Sequence, residues 1–137
     1  MTKRVFRILS VLSMFLILVA AASAQSHALT VDIPFDFHVG NTLLNRGNYI
    51  VSLAGNGQIV QMSSKDTRKA VLSMSQGGFA PNGRKSFLMF SRYGDVYFLS
   101  QVYWADSGIA RDVLKTKAEL GYAKNFSGVR KIAGAAK

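Results

Sequence analysis

The side chains able to move protons or hold a metal are few, and three of them lie close together. Asp32, Asp36 and His38 fall within the stretch VDIPFDFHVG. Residues two apart on one strand face are separated by about 7 Å, so Asp36 and His38 could share a metal only with ligands from other strands. Such ligands are scarce: acids number seven in all, and glutamate occurs once, at Glu119. A hydrolytic triad needs an imidazole between a nucleophile and an orienting acid. The other histidine is His27, and no Gly-x-Ser-x-Gly elbow occurs. Paired carboxylates for glycoside chemistry would have to be Asp32 and Asp36, with no visible partner across a cleft. The expectation is no catalytic residue, no metal and no cofactor. Asp36 is then met by solvent, Arg46 or Arg92.

A different chemistry, stacking on a sugar or an apolar ligand, is offered by Tyr93, Tyr97, Tyr103 and Trp104, with Phe79 upstream. These four are the candidate ligand-binding residues. The competing use of the same rings is a core, since aromatics supply much of the burial in a small β-domain. Burial is the expected outcome for Trp104.

The elements that would position these side chains follow from alternation. Val31, Ile33, Phe35, Phe37 and Val39 are apolar, and Asp32, Pro34, Asp36 and His38 lie between them. Period two predicts one strand over 31–39 with a dry and a wet face, and Pro34 marks it as an edge or bulged strand. In YIVSLAGNGQIVQM, Asn56-Gly57 predicts a type I′ hairpin. Its register sets Leu53 opposite Val60, Val51 opposite Met62 and Tyr49 opposite Ser64. A further strand, AVLSMS, follows the polar SSKDTRK turn, and QGGFAPNGRK reads as a long connection. Gly94-Asp95 predicts a second hairpin in KSFLMFSRYGDVYFLSQVYW, with Phe90 opposite Leu99, Phe87 opposite Val102 and Ser91 opposite Phe98. Thr116 to Glu119 spells a capping box opening a short helix over about 117–124.

The first residues predict export. MTKRVFR, an apolar run and AASAQ form the three parts of a signal peptide over residues 1–24, cut before Gln25. The run from Ile8 to Ala21 falls short of the roughly 20 residues a spanning helix needs, so no transmembrane segment is expected in the mature chain. Losing Lys3, Arg4 and Arg7 lowers the net charge from +10 by three. The remaining excess is concentrated late, at Arg111, Lys115, Lys117, Lys124, Arg130, Lys131 and Lys137. An exported basic chain suits a protein partner or an anionic envelope polymer rather than nucleic acid. With no cysteine, disulfides and thiolate chemistry are excluded.

Six runs of this kind, short connections and one late helix predict a mainly β, antiparallel six- to seven-stranded small barrel or sandwich with one short C-terminal helix. Residues 25–124 form a single β-domain in this reading, and 125–137 a flexible basic tail.

VDIPFDFHVG, the Gly-x-Tyr-x-Val unit in GNYIV and SRYGDVYFLSQVYW together resemble a family of small exported bacterial β-proteins. Its opening runs Val-x-Ile/Val-Pro-Phe-x-Phe-x-Val-Gly, and the Arg92-Tyr93-Gly94-Asp95 hairpin is the more specific match. The likeness covers most of the chain from Val31 to Glu119. It implies export and an all-β fold, and no activity is assigned to that family, so no catalytic residue carries over. This chain has Asn45-Arg46-Gly47 where the family has Pro-Ala-Gly, which implies a more flexible loop. Two functions are compatible with these readings. One is an exported non-catalytic domain acting as a structural or interaction module. The other is a small-molecule or glycan-binding β-barrel using its aromatic face.

Overall fold

The computed structural model describes residues 27–126 and the backbone of a strand at Arg130–Ala135. The signal peptide expected over 1–24 lies outside the described residues.

The Asn-Gly hairpin forms in the register that alternation demands. β4 (Gly47–Ala54) and β5 (Ile59–Ser64) pair Tyr49 with Ser64, Val51 with Met62 and Leu53 with Val60. Asn56 and Gly57 take φ of 57° and 81°, and the Gln58 N–H donates to the Gly55 carbonyl at 3.2 Å, as a type I′ turn requires. β6 (Ala70–Gly77) then pairs antiparallel with β5.

The opening stretch is two strands rather than one. It breaks at residues 34–36 into β1 (Leu29–Ile33) and β2 (Phe37–Val39). Pro34 brings no N–H to a ladder, and the Asp36 carboxylate accepts the Arg46 backbone N–H at 2.8 Å. β1 pairs antiparallel with β4 at one end of the sheet. β2 pairs with β3 (Thr42–Leu44) and, in parallel, with β8 through His38 and Phe98. Alternation survives the break: Val31, Ile33, Phe37 and Val39 are buried, while Asp32 and Asp36 are exposed.

The second hairpin departs from its expected register. β7 (Phe87–Tyr93) and β8 (Val96–Trp104) pair Phe90 with Leu99 and Ser91 with Phe98, but Phe87 faces Tyr103, not Val102. The shift falls between Met89 and Phe90 and leaves Ser100 as the extra residue of a β-bulge. Its hydroxyl donates to the Met89 carbonyl at 2.9 Å.

Three strands form where none was expected: β3, β9 (Ile109–Val113) and β10 (Arg130–Ala135). β10 lies in the segment expected as a loose tail and pairs with β7 from Arg130 opposite Arg92 to Ala135 opposite Phe87. Neighbours run β1-β4-β5-β6-β9-β8-β2-β3, with β7 on β8 and β10 on β7. One edge of β8 carries β7, and the other is shared by β9 and β2. Among the described residues β1, β3 and β10 are each paired on one side and none pairs with another of the three, so the sheet is open. The expected barrel is therefore corrected, as is the count of six to seven strands. The class is mainly β and mostly antiparallel, with one short C-terminal helix.

A single core joins the parts of the sheet. Val31, Val51, Val60 and Met62 from β1, β4 and β5 pack in one cluster with Phe37, Leu88, Phe90, Leu99, Val102 and Trp104 from β2, β7 and β8. Each fully buried side chain of this size contributes about 1.5–3 kcal/mol, so the cluster stabilises the domain without cross-links. Helix α1 (Lys117–Asn125) starts where the capping box predicts. Thr116 accepts the Glu119 N–H at 3.4 Å, and its hydroxyl donates to the Gly40 carbonyl at 3.5 Å. No described helix is long and apolar enough to cross a membrane.

Candidate binding cleft

Outside the core, the polar side chains that gather most closely stand on the outer face of β6, β9 and β8. Gln76 is the cross-strand partner of Asp112, and Asp112 is the partner of Gln101. Met89 continues the row on β7. Paired residues share a sheet face, so these form one rung across four strands. Within it, the Gln101 amide Nε2 donates to Asp112 Oδ1 at 2.7 Å.

The bulge explains how the rung comes to be accompanied by a hydroxyl. A regular strand alternates faces, but here Leu99 and Val102 both belong to the core. The two residues between them, Ser100 and Gln101, both line the outer cleft. One extra residue thus puts two consecutive polar groups on the same side.

The loop after β6 closes over this rung at Gly78. A Cβ there would lie 2.5 Å from Asp112 Oδ1 and 3.0 Å from Gln101 Nε2, so the close approach needs glycine. The Gly78 N–H donates to the Ala110 carbonyl at 3.0 Å. The next residue, Phe79, is 85 % exposed and its carbonyl accepts from Gln101 Nε2 at 3.5 Å.

From the other side α1 contributes Glu119, which is 4 % exposed and is the buried residue of the helix. Its carboxylate does not close the capping box. It accepts the Tyr93 hydroxyl at 3.0 Å instead. Burial pushes the Glu119 carboxyl above its ordinary range, against the opposing pull of the Tyr93 hydrogen bond and of Lys115. Burial, and then Glu119 itself, raise the Tyr93 phenol, which keeps it a proton donor. Gln76, Phe79, Gln101, Asp112, Lys115 and Glu119 all line one half-open cleft of about 610 Å³.

The residues singled out by sequence are dispersed. Asp32 is on β1, Asp36 in the bend and His38 on β2, where its ring stacks on Phe98 at 4.7 Å. His27 stands 3.9 Å from Asp106. Asp36 borders a shallow hollow of about 470 Å³ with Phe35, Asn45 and Arg46. Among the described residues no three His, Cys, Asp or Glu side chains gather as a metal set. Of the four aromatics, Tyr93 lies buried against Glu119 and Phe98. Tyr97 stacks on Phe35 at 4.1 Å, with the Arg92 guanidinium 5.5 Å from its ring. Tyr103 is buried and donates to the Gly83 carbonyl. Trp104 is 1 % exposed, in the core, and its Nε1 has no hydrogen-bond partner among the described residues. None of these four rings packs on another of the four.

Sequence reading missed the cleft residues Gln76, Ser100, Gln101 and Asp112. The signal that could have found them is Asp106-Ser107-Gly108, a turn between Trp104 and Ile109 that sets β9 beside β8. Comparison with known protein families, with characterised proteins and with solved structures finds no match for this chain.

Proposed function

We propose that the chain is an exported, non-catalytic β-domain that works as an interaction module in the envelope or outside the cell. It docks a protein whose contact surface is apolar at its centre and acidic at its margins. The observation that carries this reading is the outer face of β6. Leu72 and Met74 stand on it at period two, 60 % and 55 % exposed. Exposed Leu114 adjoins them, its N–H donating to the Met74 carbonyl at 3.0 Å. Large apolar side chains grouped in water are characteristic of contact surfaces.

Charge selects among partners. Exposed Lys65, Arg68 and Lys69 lead into β6, with Asp66 the acid among them, and exposed Lys115 follows Leu114 at the far end. An apolar centre with a cationic rim complements an acidic surface and steers its approach. The signal-like N-terminus and the resemblance to small exported β-proteins support placing that partner outside the cytoplasm.

Photo-cross-linking in the native cell tests the proposal. A photoreactive residue at position 72 is expected to capture another protein in the envelope or extracellular fraction, and one at fully exposed Asp95 is not. Equal capture from both positions contradicts it.

A further inference from the structure

We propose that the cleft between the β6–β9–β8 rung and α1 is a carbohydrate site, built to hold a neutral sugar unit of a glycan. It borders the apolar face of β6: Gln76 continues the outward row of Leu72 and Met74 into it, and Leu114 and Lys115 stand at the boundary between the two.

The side chains match a hydroxylated ligand. Each sugar hydroxyl both donates and accepts. The Gln76 amide does the same, while Asp112, an ionised Glu119 and the amide oxygen of Gln101, whose Nε2 is engaged with Asp112 and the Phe79 carbonyl, accept. Strand pairing sets Gln76, Asp112 and Gln101 in a row, and the Gln101–Asp112 hydrogen bond orders two of the three side chains before a ligand arrives. Pre-ordering of that kind lowers the entropy lost on binding.

The apolar face of a sugar ring needs an equally apolar surface. Phe79 lines the same cleft while 85 % exposed, and Met89 lies in it at the end of the rung. An aromatic ring this exposed contributes nothing to the core. Its placement follows from Gly78, whose missing side chain lets the loop lie on Asp112 and Gln101.

Charge favours a neutral ligand. Lys115 lines the cleft together with Asp112 and Glu119, so neither a polyanion nor a polycation meets a field of one sign. A volume of about 610 Å³ falls within the range of about 300–1,000 Å³ usual for small-ligand sites.

Amide chemical-shift mapping on the mature chain tests the proposal, with maltotriose, cellotriose and chitotriose as probes and spermidine as a cationic comparison. Millimolar sugar is expected to shift the amides of Phe79, Gln101, Asp112 and Lys115. Phe79→Ala, at an exposed ring, leaves the core intact and is expected to weaken the sugar about tenfold, or about 1.4 kcal/mol. Asp112→Asn is expected to weaken it similarly. The absence of shifts with all three sugars overturns the proposal. So do shifts with spermidine alone, shifts centred elsewhere, or sugar shifts that both variants retain.

Discussion

Tyr93 on β7 and Glu119 on α1 meet through a hydrogen bond of 3.0 Å across 26 positions of sequence. Their union reverses the usual order of helix docking. An amphipathic helix normally buries a stripe of apolar side chains, but α1 buries a carboxylic acid and leaves Leu120 and Tyr122 exposed. The Tyr122 ring lies 5.6 Å from that of the buried Phe98, an apolar contact beside the polar one. The helix is therefore held in part through a polar contact whose strength depends on protonation.

The pH dependence follows from the direction of the shift. The folded state raises the Glu119 pKa, mainly through burial. Its contribution to stability is then fully present below the ordinary carboxylate range and is lost as pH rises through the raised folded value. Denaturant melts from pH 4 to 8 should show wild type losing stability relative to Glu119→Gln as pH rises. A difference independent of pH contradicts this.

Tyr93→Phe removes the donor and leaves the buried carboxyl without that partner. The expected cost is about 1–3 kcal/mol, measured by chemical denaturation. Tyr93→Phe combined with Glu119→Met replaces both polar groups by apolar ones and should recover most of the loss.

The opening stretch separates packing from chemistry by substitution. Phe37 is fully buried between Tyr49 and Phe90, at centroid distances of 5.3 and 5.4 Å. Phe37→Ala should cost about 3–5 kcal/mol. Asp32→Ala, at an exposed position, should stay within about 0.5 kcal/mol. Equal costs in the two melts would show that the wet row has a structural part this fold does not give it.

Trp104 reports on the core directly. At 1 % exposure its emission should be blue-shifted and resist quenching by acrylamide until the chain unfolds. Red-shifted, readily quenched emission from the folded protein contradicts the packing described.

Local chemistry made the hairpins legible in the sequence. Asn56-Gly57 and Gly94-Asp95 each set a register, and the neighbouring pairs follow from counting. The count failed at Phe87 because the bulge at Ser100 adds one residue that no turn motif announces. It failed again at β9, where Ile109 to Val113 show no clean alternation: Ala110 and Val113 are the buried positions. Without β9 the row Gln76–Asp112–Gln101 could not be assembled, because its members are far apart in sequence. In sequence Glu119 has the pattern of a cap, with Thr116 three residues earlier. Its use by Tyr93 depends on where α1 docks, which is set by long-range packing. Pro34 was legible as a disruption, but only the pairing partners of β1 and β2 show that the chain crosses there from one part of the sheet to another.

The proposed docking of an acidic protein on the outer face of β6, outside the cytoplasm, is open to a decisive test. Cross-linking from position 72 in intact cells is compared between the native background and one carrying Met74→Ser, Lys65→Glu and Lys69→Glu. All three are exposed positions, so the fold should be unchanged by circular dichroism. The expected result is a discrete adduct with another protein in the envelope or extracellular fraction, abolished in the triple variant. An adduct that persists in that variant, forms only between copies of this chain, or appears only in the cytoplasm contradicts it.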